Sequence, residues 1–191
     1  GGGAALDYPI FYSSDGGASW NQSAFSPAAE LQVQFPGNFV LGGGDPIFAF
    51  DADGTLYMTG IYAHGSINGF LGSMFFAYSP DGGNNWTIPA IADHDIYSGD
   101  MLASDLLDRQ WMDVDNTGGT YDGNLYMSCV YFGGGFGTGA AGELVLVKGP
   151  ADNGFTTNSI AVPVTGSEST QFGNVKVDDN GDVHLACMRF D

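Results

Sequence analysis

Tyr78-Ser79-Pro80-Asp81-Gly82-Gly83-Asn84-Asn85-Trp86 is the stretch on which the fold turns, because its grammar recurs at Ser13-Ser14-Asp15-Gly16-Gly17-Ala18-Ser19-Trp20. In both copies a Ser stands two before an Asp, a Gly two after that Asp, and a Trp three further on. Each copy follows an aromatic-rich apolar run, Ile10-Phe11-Tyr12 in one and Phe75-Phe76-Ala77-Tyr78 in the other. Ser and Asp side chains bond to the backbone of a tight turn, Gly supplies the positive φ, and the Trp is expected to fold back over the sheet as an apolar cap.

Outward from these turns a longer rhythm appears. Asp45 to Asp51 is a strand pattern, Ala52-Asp53-Gly54 a hairpin turn, and Leu56 to Tyr62 the returning strand, with Met74 to Tyr78 as a third. The order repeats with Gln110 to Asp115, Asn124 to Phe132 and Glu143 to Val147, and opens again with Asn174 to Asp178 and Val183 to Met188. The aspartates that open the three hairpin turns, Asp51, Asp115 and Asp178, are 64 (115 − 51) and 63 (178 − 115) residues apart. Self-similarity at such a period marks stacked supersecondary units. Asn21 to Gly44 reads as a loop whose Leu31-Gln32-Val33-Gln34-Phe35 alternation predicts a short strand. Pro150 to Phe155 stands where a third copy of the opening motif is due and keeps only its Asp and Gly.

The 191 residues are 43% apolar and 14% aromatic, enough for a packed core, and 31 Gly with 8 Pro scattered between short apolar runs point to an all-β chain. Four basic against 22 acidic residues give a formal charge of −18, which argues against nucleic acid and anionic membranes as partners. No apolar run reaches the ~18 residues of a spanning helix, so no membrane insertion is expected. The start at Gly1-Gly2-Gly3 and the stop at Arg189-Phe190-Asp191 read as part of something longer. Cys129 and Cys187 hold matching places in neighbouring repeats, too far apart for a bridge, and both are expected to be small buried thiols.

The spelling S-x-D-x-G-x-x-W at Ser13, Asp15, Gly17 and Trp20, and again at Ser79, Asp81, Gly83 and Trp86, resembles the Asp-box or BNR repeat. The chain thus looks like an Asp-box propeller of the sialidase superfamily, of the secreted bacterial type. That resemblance implies an all-β propeller in which residues 1–44 hold the end of one blade and a loop. Residues 45–107 and 108–171 then form two four-stranded blades, and 172–191 the start of a further one. Rings of this kind close with ~4–8 blades. A six- or seven-bladed ring is expected, its remaining blades supplied by a longer chain or by self-association. The implied location is secreted or cell-surface, and the implied role of the boxes is structural.

Sialidases grip the substrate carboxylate with three Arg, one within Arg-Ile-Pro, and use a Tyr with a Glu as nucleophile and an Asp as acid/base. This chain has two Arg, Arg109 and Arg189, and no Arg-Ile-Pro. Asp45, Asp108 and Asp113, on first strands of the repeats, are the candidate catalytic carboxylates. Arg109 is a candidate contact for an anionic ligand, with pairing to Asp108 as the plainer alternative. Hard oxygen ligands on tight loops suit calcium, and Asp113, Asp115 and Thr117 form the nearest approach to an EF-hand loop, although Asn124 replaces the closing Glu. Hairpin turns choose the same residues for backbone reasons. Gly137 to Gly142 matches a dinucleotide pattern by letter, but a strand follows it where a helix is needed. Tyr97, Trp111, Tyr131 and Phe136 can stack on sugars or pack between units. The functions left open are a rigid scaffold for a glycan or protein ligand, a sialidase-like glycoside hydrolase, and a structural subunit of a surface assembly.

Overall fold

The computed structural model describes residues 9–34, 39–66, 69–92, 106–132, 142–150, 160–161 and 169–190. The chain is mostly strand. Two antiparallel meanders form its centre: β3 (Phe39–Phe50), β4 (Leu56–Ser66), β5 (Gly69–Ser79) and β6 (Thr87–Ala92), then β7 (Leu106–Val114), β8 (Asn124–Phe132), β9 (Glu143–Pro150) and β10 (Ile160–Ala161). One parallel pairing, Gly72 with Leu106, joins β5 to β7. Before the meanders lies the hairpin β1 (Phe11–Tyr12) with β2 (Asn21–Gln22), and after them β11 (Ser169–Val177) with β12 (Val183–Phe190). The all-β expectation holds, and among the described residues none of the sheets closes on itself.

The first meander is buried on both faces because successive residues of a strand point to opposite sides. Along β5, Met74 and Phe76 enter the core shared with the second meander, whose Met112, Val114, Leu125 and Met127 meet them. Their neighbours Phe75 and Ala77 join Met58 and Tyr62 in a second core on the other face. Val130, Phe132 and Leu144 form a third, with Leu185 of the last hairpin packed against it. Tyr57 stacks on Phe76 with centroids 5.9 Å apart.

Of the short strand expected over Leu31–Phe35, Phe35 lies outside the described residues, and Leu31–Gln34 belong instead to helix α1 (Pro27–Gln34). Ser26 caps it, its Oγ accepting the Ala29 N–H at 3.2 Å, and Pro27 occupies the first turn, where its missing N–H costs nothing. Leu31 and Ala28 face the second core while Val33 is left 76% exposed, which a strand alternation would have buried. The start signal outweighed a five-residue alternation. Among the described residues no helix is long and apolar enough to cross a membrane.

Cys129 is buried and its thiol is pushed up to about 12 by burial, but Cys187 is exposed, contrary to the expectation of two buried thiols. Nearly all of β12 is exposed, so Cys187 has no layer over it. The eroded motif at Pro150–Phe155 and the residues Tyr97 and Phe136 lie outside the described residues, Pro150 excepted.

Candidate functional site

Three residues other than glycine have positive φ among those described: Asp45 (53°), Arg109 (57°) and Phe172 (55°). They are 64 (109 − 45) and 63 (172 − 109) residues apart, and each lies six before the aspartate that opens its hairpin turn. Each also lies where the pairing register slips, between Gly44 and Ile47, between Asp108 and Trp111, and between Gln171 and Asn174. The first strand of every repeat therefore carries the same β-bulge. A left-handed backbone costs an L-residue roughly 1–2 kcal/mol, and bulges of this kind aim side chains at functional sites.

The first strands β3, β7 and β11 lie against one another in sequence order, so the bulges come together. Gln110 donates its side-chain N–H to the Asp45 carbonyl, tying the second bulge to the first. The Arg109 guanidinium lies 4.0 Å from the centre of the Phe172 ring, tying the second to the third. Its Nε is 3.5 Å from Asp108 Oδ2, the pairing foreseen as the plainer role for this arginine. Asp108 is 7% exposed, and burial pushes its carboxyl above the usual range. The Arg109 N–H and charge oppose that rise, while the Asp45 carboxylate adds to it. Two polar atoms stay unsatisfied, Gln110 Oε1 and Arg109 Nε, both buried. Phe172 and Phe190 expose their rings beside the group, 6.4 Å apart and tilted by 56°.

Of the four carboxylate and arginine candidates, the structure gathers Asp45, Asp108 and Arg109 and leaves Asp113 apart. Asp113 Oδ2 accepts the Val177 N–H at 2.9 Å and pairs with Lys176 Nζ at 3.3 Å, stitching β7 to β11. Gln110 and Phe172 escaped sequence reading. Aligning the three repeats on their turn aspartates would have placed Phe172 in the column of Asp45 and Arg109.

The two Ser-x-Asp-x-Gly-x-x-Trp turns have nearly the same wiring. Ser13 Oγ donates to Asp15 Oδ1 and accepts the Gly17 N–H, both at 2.8 Å, and Asp15 accepts the Ser19 N–H and Oγ–H at 2.9 and 2.6 Å. Ser79 Oγ donates to Asp81 Oδ1 at 2.9 Å and accepts the Gly83 N–H at 2.8 Å, and Asp81 accepts both N–H groups of Asn85, backbone and side chain, at 2.8 and 2.6 Å. The side chain and backbone N–H of Ser19 hold Asp15 down at about 2, and the backbone and side chain of Asn85 do the same for Asp81. These carboxylates are committed to their own turns. Trp86 caps as expected, stacked on Phe25 at 5.4 Å with its Nε1 donating to the Gly83 carbonyl, whereas Trp20 is 63% exposed. Trp20 instead borders an apolar groove of about 560 Å³ with Phe11, Phe48, Phe50 and Leu56.

The turn aspartates spend their oxygens in the same way. Asp51 Oδ1 accepts from the Asp53 and Thr55 N–H groups, and Asp178 Oδ1 from those of Asn180 and Asp182. Asp115 Oδ1 accepts from the Thr117 N–H and hydroxyl, while its Oδ2 is buried without a partner. Of the calcium candidates, Asp115 Oδ1 is spent on Thr117, while Asp113, paired with Lys176, and Thr117 line one pocket with Asp178 and Asp179; among the described residues no group of three or more His, Cys, Asp or Glu is placed to hold a metal ion. The chain matches no protein-family model and no curated protein.

Proposed function

We propose that this chain is part of an Asp-box β-propeller acting as a rigid extracellular scaffold for glycan or protein ligands, with the ligand held where the three bulges meet. The observation that carries the reading is the recurrence of a left-handed bulge at Asp45, Arg109 and Phe172, one per repeat and at one distance from the turn. Strain repeated in register at a cluster with unsatisfied polar atoms is what a binding surface requires and what a plain core does not. Links between units follow the same period: Asn116 donates to the Phe50 carbonyl 66 residues earlier, and Val177 to Asp113 across 64. Equivalent blades arranged about an axis give such links. Further blades come from a longer chain or from further copies. Screening the protein on a glycan array, with Asp108→Ala alongside, tests the reading. Binding lost in the variant supports it, and absence of any glycan or protein ligand at the cluster contradicts it.

A second reading, a sialidase-like glycoside hydrolase, draws on Asp108, whose buried carboxyl keeps its proton to higher pH beside the Asp45 carboxylate. A raised acid next to a second carboxylate is the pairing glycoside hydrolysis needs. Turnover of fluorogenic glycosides, abolished by Asp108→Asn, would establish it.

A further inference from the structure

The charges and unmet bonds at the bulge cluster define the kind of ligand it takes. Asp45 and Asp108 bring two carboxylates, and Arg109 brings one cation that is already engaged, lying over Phe172 at 4.0 Å and beside Asp108 Oδ2 at 3.5 Å. Of the basic residues of the last hairpin, Lys176 pairs with Asp113 Oδ2 at 3.3 Å, and Arg189 pairs in register with Thr170 and has a partner of its own. Two carboxylates against one cation, itself already beside Asp108, leave the cluster net negative. One buried donor, Arg109 Nε, and one buried acceptor, Gln110 Oε1, are left without hydrogen bonds, and a hydroxyl can serve either. Gln110 is 4% exposed, its N–H group bound to the Asp45 carbonyl, and its Oε1 has no donor. A buried acceptor left unmatched costs about 1–3 kcal/mol unless a ligand or water supplies the hydrogen. Next to these acceptors, Phe172 (47% exposed) and Phe190 (42%) present apolar faces to solvent. Hydroxyl donors on one side and a C–H face on the other belong together in a sugar ring.

We propose that the bulge cluster binds a neutral, hydroxyl-bearing sugar ring and discriminates against acidic sugars; this rests on the glycan-binding reading above. Hydroxyls donate to the Asp45 and Asp108 carboxylates, and the ring lies on the Phe172 and Phe190 faces. An added carboxylate meets two like charges and a single cation already shared with one of them, where like-charge juxtaposition is strongly unfavourable. The same balance speaks against a sialic-acid substrate.

The test is a matched panel: neutral hexose and N-acetylhexosamine oligosaccharides, each paired with its uronic-acid or sialylated counterpart, titrated against the intact chain by calorimetry. The neutral member of a bound pair should be at least tenfold tighter. Phe172→Ala should weaken it tenfold or more, and Asp45→Asn with Asp108→Asn should narrow the gap by improving the acidic member. Acidic members binding as well or better, with binding lost in Arg109→Ala, would overturn the proposal while leaving the scaffold reading intact. If the wild-type chain binds no member, the glycan reading falls and the proposal with it. The wild-type comparison decides even where a variant fails to fold.

Discussion

Ser79 and Ser13 occupy the same place in the two Ser-x-Asp-x-Gly-x-x-Trp turns and make the same two hydrogen bonds, but Ser79 is fully buried and Ser13 is not. Removing one partner of a buried bond leaves the other unsatisfied, whereas water replaces a partner at the surface. Ser79→Ala should therefore cost about 1–3 kcal/mol in a urea melt and Ser13→Ala clearly less. The box aspartates set an acid limit. Asp15 and Asp81 are lowered in the folded chain from 3.8 to about 2, so the folded state binds fewer protons than the unfolded one through that interval. Their contribution is complete above about 3.8 and is lost as pH falls through about 2. Asp108 has the opposite sign: its raised carboxyl favours the folded state at low pH, and that contribution fades as pH rises through its folded value. The urea midpoint should drop steeply between pH 4 and 2, and Asp15→Asn with Asp81→Asn should flatten that drop. Asp108→Asn should raise the melting temperature at pH 7 more than at pH 4. Asp45 combines an exposed side chain with a φ of 53°, so Asp45→Gly should relieve on the order of 1 kcal/mol of backbone strain while weakening ligand binding. A variant that is both less stable and unimpaired in binding would show that the bulge is not held for function.

At the scale of elements, the hairpin β11–β12 is seated by a close backbone approach. A Cβ at Gly173 would stand 2.5 Å from Leu144 Cδ1 and 3.1 Å from Ser128 Cβ, and the Gly173 carbonyl accepts the Ser128 hydroxyl at 3.0 Å. Gly173→Ala should cost about 1–3 kcal/mol by overpacking and loosen this hairpin first, visible as faster amide exchange across β11 and β12 than across β8. Strands and hairpin turns were legible in the sequence because period-two alternation and Asp-Gly turns are local signals, as at Leu56–Tyr62 and Asp178–Gly181. Helix α1 was misread because Leu31 to Phe35 alternates over too few residues to outweigh the Ser26-Pro27 start. Trp20 and Trp86 show the limit of a motif: it specifies the turn, but burial of the Trp depends on whether a residue such as Phe25 stands over it.

For the whole molecule, the period of about 64 residues foreshadowed the two meanders and the last hairpin, since each repeat supplies its own strands and turn. The meeting of the bulges was not legible. Asp45, Arg109 and Phe172 share no chemistry, and what relates them is a backbone dihedral imposed by the register slip in each first strand. A residue-type search picks out Asp45, Asp108 and Arg109 but equally picks out Asp113, which the fold spends on Lys176. On the proposed reading, ligand binding resides at the three bulges, while the Ser13–Trp20 and Ser79–Trp86 turns only hold backbone. The most direct measurement is a titration of the isotopically labelled chain with a bound oligosaccharide, followed through backbone amide chemical shifts. The account predicts the largest changes at residues 44–46, 108–110 and 171–173, with the box residues 13–20 and 79–86 little changed. Changes centred on the boxes, with the three bulges silent, would contradict it.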